Sequence, residues 1–424
     1  MSSERESCNS RHFSWLMKSC FPNPHDTTIS IPTHKSATLT TAATTTTTIS
    51  SLPDDVVLEC LSLVPPSSLP SLSLVCRRWA RLLHSSDFSD LRRRRSLLHH
   101  SVFSLAATDS GFCAAALNDG VWKIALFLPC YDAVSLDSFH SLLAHARLSS
   151  IGPRIYIIGR NAMVRYDTWA GSVTPRSAMI FPRKKFAAAA ACGRIYIAGG
   201  GSRTAAVEEY DPETDTWRVV SNAPRRRYGC IGASVDGVFY IIGGLRIGGA
   251  EGSELSRSAT GTEGHAVYAS SMDLFDVEAR VWLRSRAVPG GGCVVAACAA
   301  AGHIYVLTSH AVELSFWSFN ARRKVSNQGG NGGFGEWCRI KSPPLPAQVR
   351  VDGRMRFSCI GMGNKVVLIQ VTGGIDDLSI RNGRVGRGIR EGLVLVYDCI
   401  TGDWSRGADL PEVFRRATYV GVEC

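Results

Sequence analysis

Catalysis would need a nucleophile with its base, a metal-ligand spacing, or a phosphate cradle. His140, His145, His265, His303 and His310 stand at no metal-ligand spacing, and no Ser-His-Asp ordering accompanies them. The glycine clusters at 290–292 and 329–333 lack a following Lys-Ser/Thr. The 14 cysteines run from Cys8 to Cys424 without a Cys-x-x-Cys pair; Cys293 and Cys298 sit in an apolar stretch that reads as a strand, where cysteine is a small buried hydrophobe. No catalytic residue, metal or cofactor is expected. Recognition chemistry is better represented. Two glycine-rich insertions, 245–271 and 375–392, carry Arg246, Arg257, Arg381, Arg384, Arg387 and Arg390. Guanidinium groups fork onto carboxylates and stack on aromatics, so these arginines are candidate target-binding residues. The competing reading is a disordered insertion with solvated charge.

The whole chain leans the same way. Its 47 Lys and Arg against 36 Asp and Glu leave a formal charge of +11, which favours acidic partners. The surplus is mainly arginine, which places a protein partner ahead of nucleic acid. The 424 residues suffice for two folded units. Residues 1–50 are rich in Ser and Thr, including the run Thr44 to Thr48, and are expected to be disordered. Glu4, Glu6 and Asp26 argue against a plastid transit peptide. No secretory signal or bilayer-spanning run is visible, so the expectation is an intracellular protein of cytoplasm, nucleus or both, with reduced thiols and no membrane partner.

From Leu52 the composition changes. Pro53 followed by Asp54 and Asp55 makes a helix start, and Val57, Leu61 and Val64 recur at helical spacing. Pro65 and Pro66 stop that helix; Ser67 or Ser68 can cap the next. Leu69, Leu72, Cys76, Trp79 and Leu83 then form one apolar stripe, predicting a single second helix. Two helices this short leave apolar surface to be covered, either by the larger domain or by another chain. Arg92 to Arg95 follow, read as the solvated tail of a third helix rather than a nuclear-localisation patch.

Leu52-Pro53-Asp54-Asp55, Leu61, Pro65, Leu69, Leu72, Val75-Cys76-Arg77-Arg78-Trp79 and Leu82 together resemble an F-box, placed at 51–96. The resemblance implies docking onto a Skp-type adaptor, and through it onto cullin and RING subunits of a ubiquitin ligase. Leu52, Pro53, Leu61 and Pro65 match positions the family uses at that interface; Trp79 matches one that completes the module.

Beyond residue 100 the texture is short apolar strands punctuated by Gly, Pro and Asp. Gly193 to Gly200 with Tyr210-Asp211 and Trp217 returns as Gly237 to Gly244 with Phe275-Asp276 and Trp282. Weaker copies lie at 154–167, at 302–307 with Trp337, and at 366–404; Tyr131-Asp132 with Phe139 continues the pattern at the front. The apolar run reads as an inner strand buried on both faces, the paired glycines as a positive-φ close approach, and Asp as a side-chain turn closer. These phrases resemble kelch repeats over 100–424. They imply an all-β propeller of four-stranded blades, preceded by the all-α module. Ala417 to Val422 is one leftover strand, expected to complete the first blade and close a six-bladed ring, with seven blades as the alternative. The implied function is a substrate receptor holding an unidentified target protein for ubiquitination and proteasomal degradation. The alternatives are a non-degradative scaffold and, further off, a propeller enzyme.

Overall fold

Pro53 begins the described helices: its missing N–H costs nothing at a helix start, and Asp54 and Asp55 place carboxylates against the positive end. The computed structural model describes residues 51–118, 120–129, 139–143, 145–201, 204–246, 270–310, 313–323, 334–345, 355–372, 392–415 and 417–424. The expectation for residues 1–50 therefore lies outside the described residues. Helix α1 (Asp54–Ser62) ends before Pro65, and a 3-10 turn (Pro66–Ser68) leads into α2 (Leu69–Ser73). Ser68 stands at the N-cap of α2 without making a side-chain capping bond.

The expected single second helix is in fact two. Cys76 adopts an extended φ of −160° and interrupts the stripe, and its Sγ accepts from Trp79 N at 3.5 Å to cap α3 (Arg77–Leu83). Cys76 is thus a cap rather than a core residue. Helix α4 (Ser86–Arg94) is capped by Ser85 Oγ, which accepts from Phe88 N at 3.2 Å. Its arginine tail is not solvated throughout, because Arg92 is only 1% exposed.

The remaining chain builds six four-stranded antiparallel sheets. Blade 1 begins with β1 (His100–Thr108), β2 (Gly111–Asn118) and β3 (Val121–Pro129). Blade 2 is β4 (Arg147–Ile151), β5 (Arg154–Ile158), β6 (Met163–Asp167) and β7 (Ser172–Arg176). Blade 3 is β8 (Ala187–Ala191), β9 (Arg194–Ala198), β10 (Ala206–Asp211) and β11 (Thr216–Asn222). A small strand β12 (Arg227–Tyr228) precedes blade 4, which is β13 (Ile231–Val235), β14 (Val238–Ile242), β16 (Ser271–Asp276) and β17 (Val281–Ala287); β15 (Leu245–Arg246) pairs back onto β12. Blade 5 is β18 (Cys293–Ala300), β19 (His303–His310), β20 (Glu313–Asn320) and β21 (Trp337–Ile340). Blade 6 is β22 (Met355–Met362), β23 (Lys365–Thr372), β24 (Leu393–Asp398) and β25 (Trp404–Arg406). The last strand, β26 (Thr418–Glu423), returns to pair with β1 as the innermost strand of blade 1.

The innermost strands pack in turn, β26 on β4, then β8, β13, β18, β22 and back to β26, so the ring is closed by the chain's own end. Gly232, Gly361 and Gly421 lie on these strands, and a Cβ at each would collide with a backbone carbonyl of the neighbouring blade. The crowding at the axis therefore falls on these glycines. The paired glycines instead sit at the strand ends: Gly199 and Gly200, at φ of 73° and 72°, press on Arg227 O and Lys184 O.

The seven-residue aromatic interval is a hairpin register. Tyr210 lies opposite Trp217, Phe275 opposite Trp282 and Tyr397 opposite Trp404, with ring centroids 5.0, 5.0 and 5.2 Å apart. Each indole N–H then reaches the preceding blade: Trp217 donates to Ser177 O at 2.8 Å, Trp282 to Ser221 Oγ at 3.0 Å and Trp404 to Lys341 O at 2.8 Å. Trp122 of blade 1 makes the same bond to Ala408 O, beside blade 6, across the ring closure. Asp167, Asp211, Asp276 and Asp398 each accept from backbone N–H groups two or three residues on, closing their turns as expected. In blade 1 the expected pattern does not hold. Tyr131 and Asp132 lie outside the described residues, and Phe139 belongs to a helical segment, stacking on Phe112 at 5.4 Å. The outer strand of that blade is β3.

Candidate interaction surfaces

The first surface is on the helices. Asp54 receives Arg78 at 2.7 Å and Arg81 at 3.2 Å, tying the start of α1 to α3, while Glu59 pairs with Arg95 after α4. The guanidinium of Arg92 donates to Ser62 O, Val64 O and Leu97 O at 3.1, 2.8 and 3.4 Å. These bonds hold the chain after α1 against α4. Of the five candidate adaptor contacts, Pro53 and Pro65 are exposed, Leu52 and Trp79 are half-buried, and Leu61 is 4% exposed. The structure thus puts Leu61 into the helical core. Exposed apolar side chains that the sequence reading missed stand on the same short module: Val56, Leu63, Leu74 and Val75, at 40%, 64%, 84% and 57% exposure. Their signal was available, since each is a large apolar residue off the helical stripe.

The inner side of the module is attached to the propeller. Phe88 packs edge-on to Trp169 with centroids 5.3 Å apart, and the Arg92 guanidinium lies 5.7 and 5.9 Å from those two rings. Arg154 donates to His84 O at 2.9 Å, and Arg93 forks onto Glu423 at 3.1 and 2.7 Å. The fork holds the Glu423 carboxyl below its usual range. Burial pushes the His84 imidazole down despite Asp167 at 3.6 Å. Arg154, Asp167, Trp169 and Glu423 all lie where first strands turn into second strands, or third into fourth. The helices therefore sit on that face. The mouth of the central channel, a cavity of about 520 Å³ lined by small residues with His100, Asp236 and Glu423 at its rim, opens on the same side.

The opposite face carries the turns from second to third strands and the connections between blades. Both arginine-bearing insertions leave from it, between Arg246 and Ser270 and between Thr372 and Gly392. Arg246 pairs with Arg227 in the β12–β15 hairpin. Arg257, Arg381, Arg384, Arg387 and Arg390 lie outside the described residues. The sequence offers a third insertion, Ser326 to Gly335, in a different hairpin and expected to face the other way; its flanking strands, β20 and β21, are a third and a fourth strand, so that hairpin turns on the helix-bearing face.

Part of the arginine surplus is structural. Arg183 and Glu208 form an ion pair at 2.7 Å with both side chains at 0% exposure, and Arg183 also donates to Gly199 O and Ala206 O. Arg227 repeats this one blade on, binding Asp273 at 2.9 Å and Gly243 O at 2.6 Å. Among the described residues, no group of three or more His, Cys, Asp and Glu is placed to hold a metal ion.

Comparison with known proteins follows the same division. The F-box domain matches residues 49–91 and the Kelch motif residues 182–224. The chain is 59% identical over 425 residues to the F-box/kelch-repeat protein At5g26960 of Arabidopsis thaliana, covering 99% of both chains. It is 29% identical over 211 residues to the F-box/kelch-repeat protein At1g67480 of the same plant, covering 46% of this chain and 54% of that one. To the F-box/kelch-repeat protein OR23, also of Arabidopsis thaliana, it is 31% identical over 226 residues, covering 44% and 49%.

Proposed function

Because the chain belongs to the F-box/kelch-repeat family, whose two modules together make a substrate adaptor in general, we propose that it is the target-recognition subunit of a Skp-cullin-F-box ubiquitin ligase. The observation that carries this reading is the two-sided helical module. Its outer side exposes Pro53, Val56, Leu63, Pro65, Leu74 and Val75, while its inner side is pinned to the propeller. Exposed apolar groups concentrated on so small a module are the surface another chain would cover. A Skp-type adaptor occupies that side and brings cullin and RING subunits. The propeller holds a target protein so that its lysines meet the ubiquitin-charged partner. Rate enhancement is then effective concentration, and this chain supplies no nucleophile. The complex works in the cytoplasm, the nucleus or both.

Co-purification with a Skp-type adaptor tests the first half. Leu52→Ala with Pro53→Ala is expected to abolish it while the propeller melts as in the wild type; full co-purification of the double variant would sink the reading. Target half-life on depletion of this chain tests the second half. Proximity-labelled proteins that stay as short-lived as before would make the chain a scaffold.

A further inference from the structure

On the face away from the helices, the connections of blades 2 to 4 have a one-sided composition. The described segments are 159–162, 177–186, 199–201, 204–205, 223–230 and 243–246. They hold Lys and Arg at many positions and neither Asp nor Glu. The carboxylates that organise them come from inside the blades. Glu208 accepts from Ile180 N at 2.7 Å and from Arg183, and Asp273 accepts from Arg225 at 2.6 Å and Arg227 at 2.9 Å. Both are about 1% exposed or less and neutralised by the arginines beside them. Lys184 and Lys185 are thus carried among segments whose described residues contribute no anion to the surface.

The backbone presents these lysines in a fixed way. Lys184 N donates to Gly200 O at 3.2 Å and Gly229 N donates to Lys185 O at 2.9 Å, so the loop is strapped to blade 3 on one side and to the start of blade 4 on the other. Lys185 is held at φ 51°, a conformation that lysine rarely adopts. Its ammonium lies 5.5 Å from the ring of Tyr228, which pairs with Leu245 across the small hairpin. Among these cations stand Ile180, Phe181 and Leu245, at 47%, 38% and 48% exposure, with Phe181 6.0 Å from the buried Arg183 guanidinium.

We propose that this surface, at the seam of blades 3 and 4, binds an acidic peptide segment carrying a large apolar side chain. Charge complementarity selects the acidic residues, and aliphatic groups at Ile180 and Leu245 select an apolar side chain. A nucleic-acid track would instead present a row of exposed aromatic platforms for stacking successive bases, whereas among the described residues of this surface Phe181 is the one exposed aromatic and Tyr228 is half-buried under Lys185. Naming the segment's owner as a degradation target rests on the proposed function; the peptide chemistry does not.

The full chain, co-expressed with a Skp-type adaptor and immobilised, is panned against a displayed library of random peptides. Enrichment of Asp and Glu together with Leu, Ile, Phe or Trp is expected. Lys184→Glu with Lys185→Glu, and separately Phe181→Ser, should weaken the best peptide about tenfold or more, with the charge reversal also flattening its salt dependence. Melting curves show which variants are folded, and Phe181→Ser serves alone if the lysine pair is not. No enrichment, enriched peptides without acidic residues, unchanged affinity in a folded variant, or tighter binding of a single-stranded oligonucleotide would each overturn the inference. If peptides bind as expected but no target changes half-life on depletion, the ligase reading fails and this inference stands. If targets are stabilised but still bind the folded variants, the reverse holds.

Discussion

Arg92 shows how little a residue's type says about its duty. As a member of Arg92 to Arg95 it looked like a solvated charge, yet it is buried, donates to three backbone carbonyls and faces Phe88 and Trp169. Replacing it by Met keeps the volume and strands the carbonyls, so Arg92→Met is expected to lower stability by about 2–4 kcal/mol in urea unfolding. Arg92→Lys should recover only part, because the three donors of an ammonium diverge from one nitrogen, whereas the guanidinium reaches its three carbonyls from two spaced nitrogens. Glu423 gives a pH signature at the same junction. Its pKa is depressed chiefly by the hydrogen bond from Arg93, with burial opposing. The folded state therefore gains from its ionised form: the contribution is present above the unfolded value of 4.5 and is lost as pH falls through the lower folded value. Glu423→Gln should remove that part of the acid sensitivity, seen as a flatter melting temperature against pH below about 5. A variant as acid-sensitive as the wild type would contradict this.

At the scale of elements, the leftover strand is the strongest test of the ring. β26 bonds only to β1 within its sheet, but it packs on β4 and β22, so it serves two neighbours. Ending the chain after Arg415 removes the innermost strand of blade 1 and opens the ring at that point. The expected result is loss of the whole cooperative melting transition, and an unchanged transition would refute the role given to β26. This closure was legible in the sequence because a strand with no blade of its own has few places to go. The Tyr/Phe-to-Trp interval was legible because a hairpin register repeats. Three features were not. β2, Gly111-Phe-Cys-Ala-Ala-Ala-Leu-Asn118, has too little branched or aromatic character to announce a strand. The break at Cys76 leaves the helical period intact on both sides, so periodicity alone could not find it. The buried ion pairs of Arg183 and Arg227 join residues far apart in sequence. Of the candidate site, the five adaptor contacts were read from the resemblance and not from the helical period; Pro53 and Pro65 are exposed and Leu61 is core, while Val56, Leu63, Leu74 and Val75 were legible only as apolar residues standing off the stripe.

For the whole molecule, the arrangement of faces matters most. The helices stand on the face that bears the channel mouth, and the Lys184–Leu245 surface and the strand ends that flank the arginine-bearing insertions stand on the other. Under the proposed function, delivery of a target's lysines to a distant transfer site gains from a fixed orientation between these two ends, since effective concentration falls when the link can wander. The link here is specific side chains: Arg93 on Glu423, Arg154 on His84 O, and Trp169 against Phe88. None of the three supplies the bonds that hold the helices to one another, which run through Arg92, Asp54 and Glu59. Replacing Arg93, Arg154 and Trp169 by Ala should therefore release the module without unfolding it. Small-angle scattering should show a larger maximum dimension, and protease should cut between 95 and 100, while adaptor co-purification persists. An unchanged scattering curve would mean that the backbone pairing of His99 with Cys424, at 2.7 and 2.9 Å, suffices to fix the orientation.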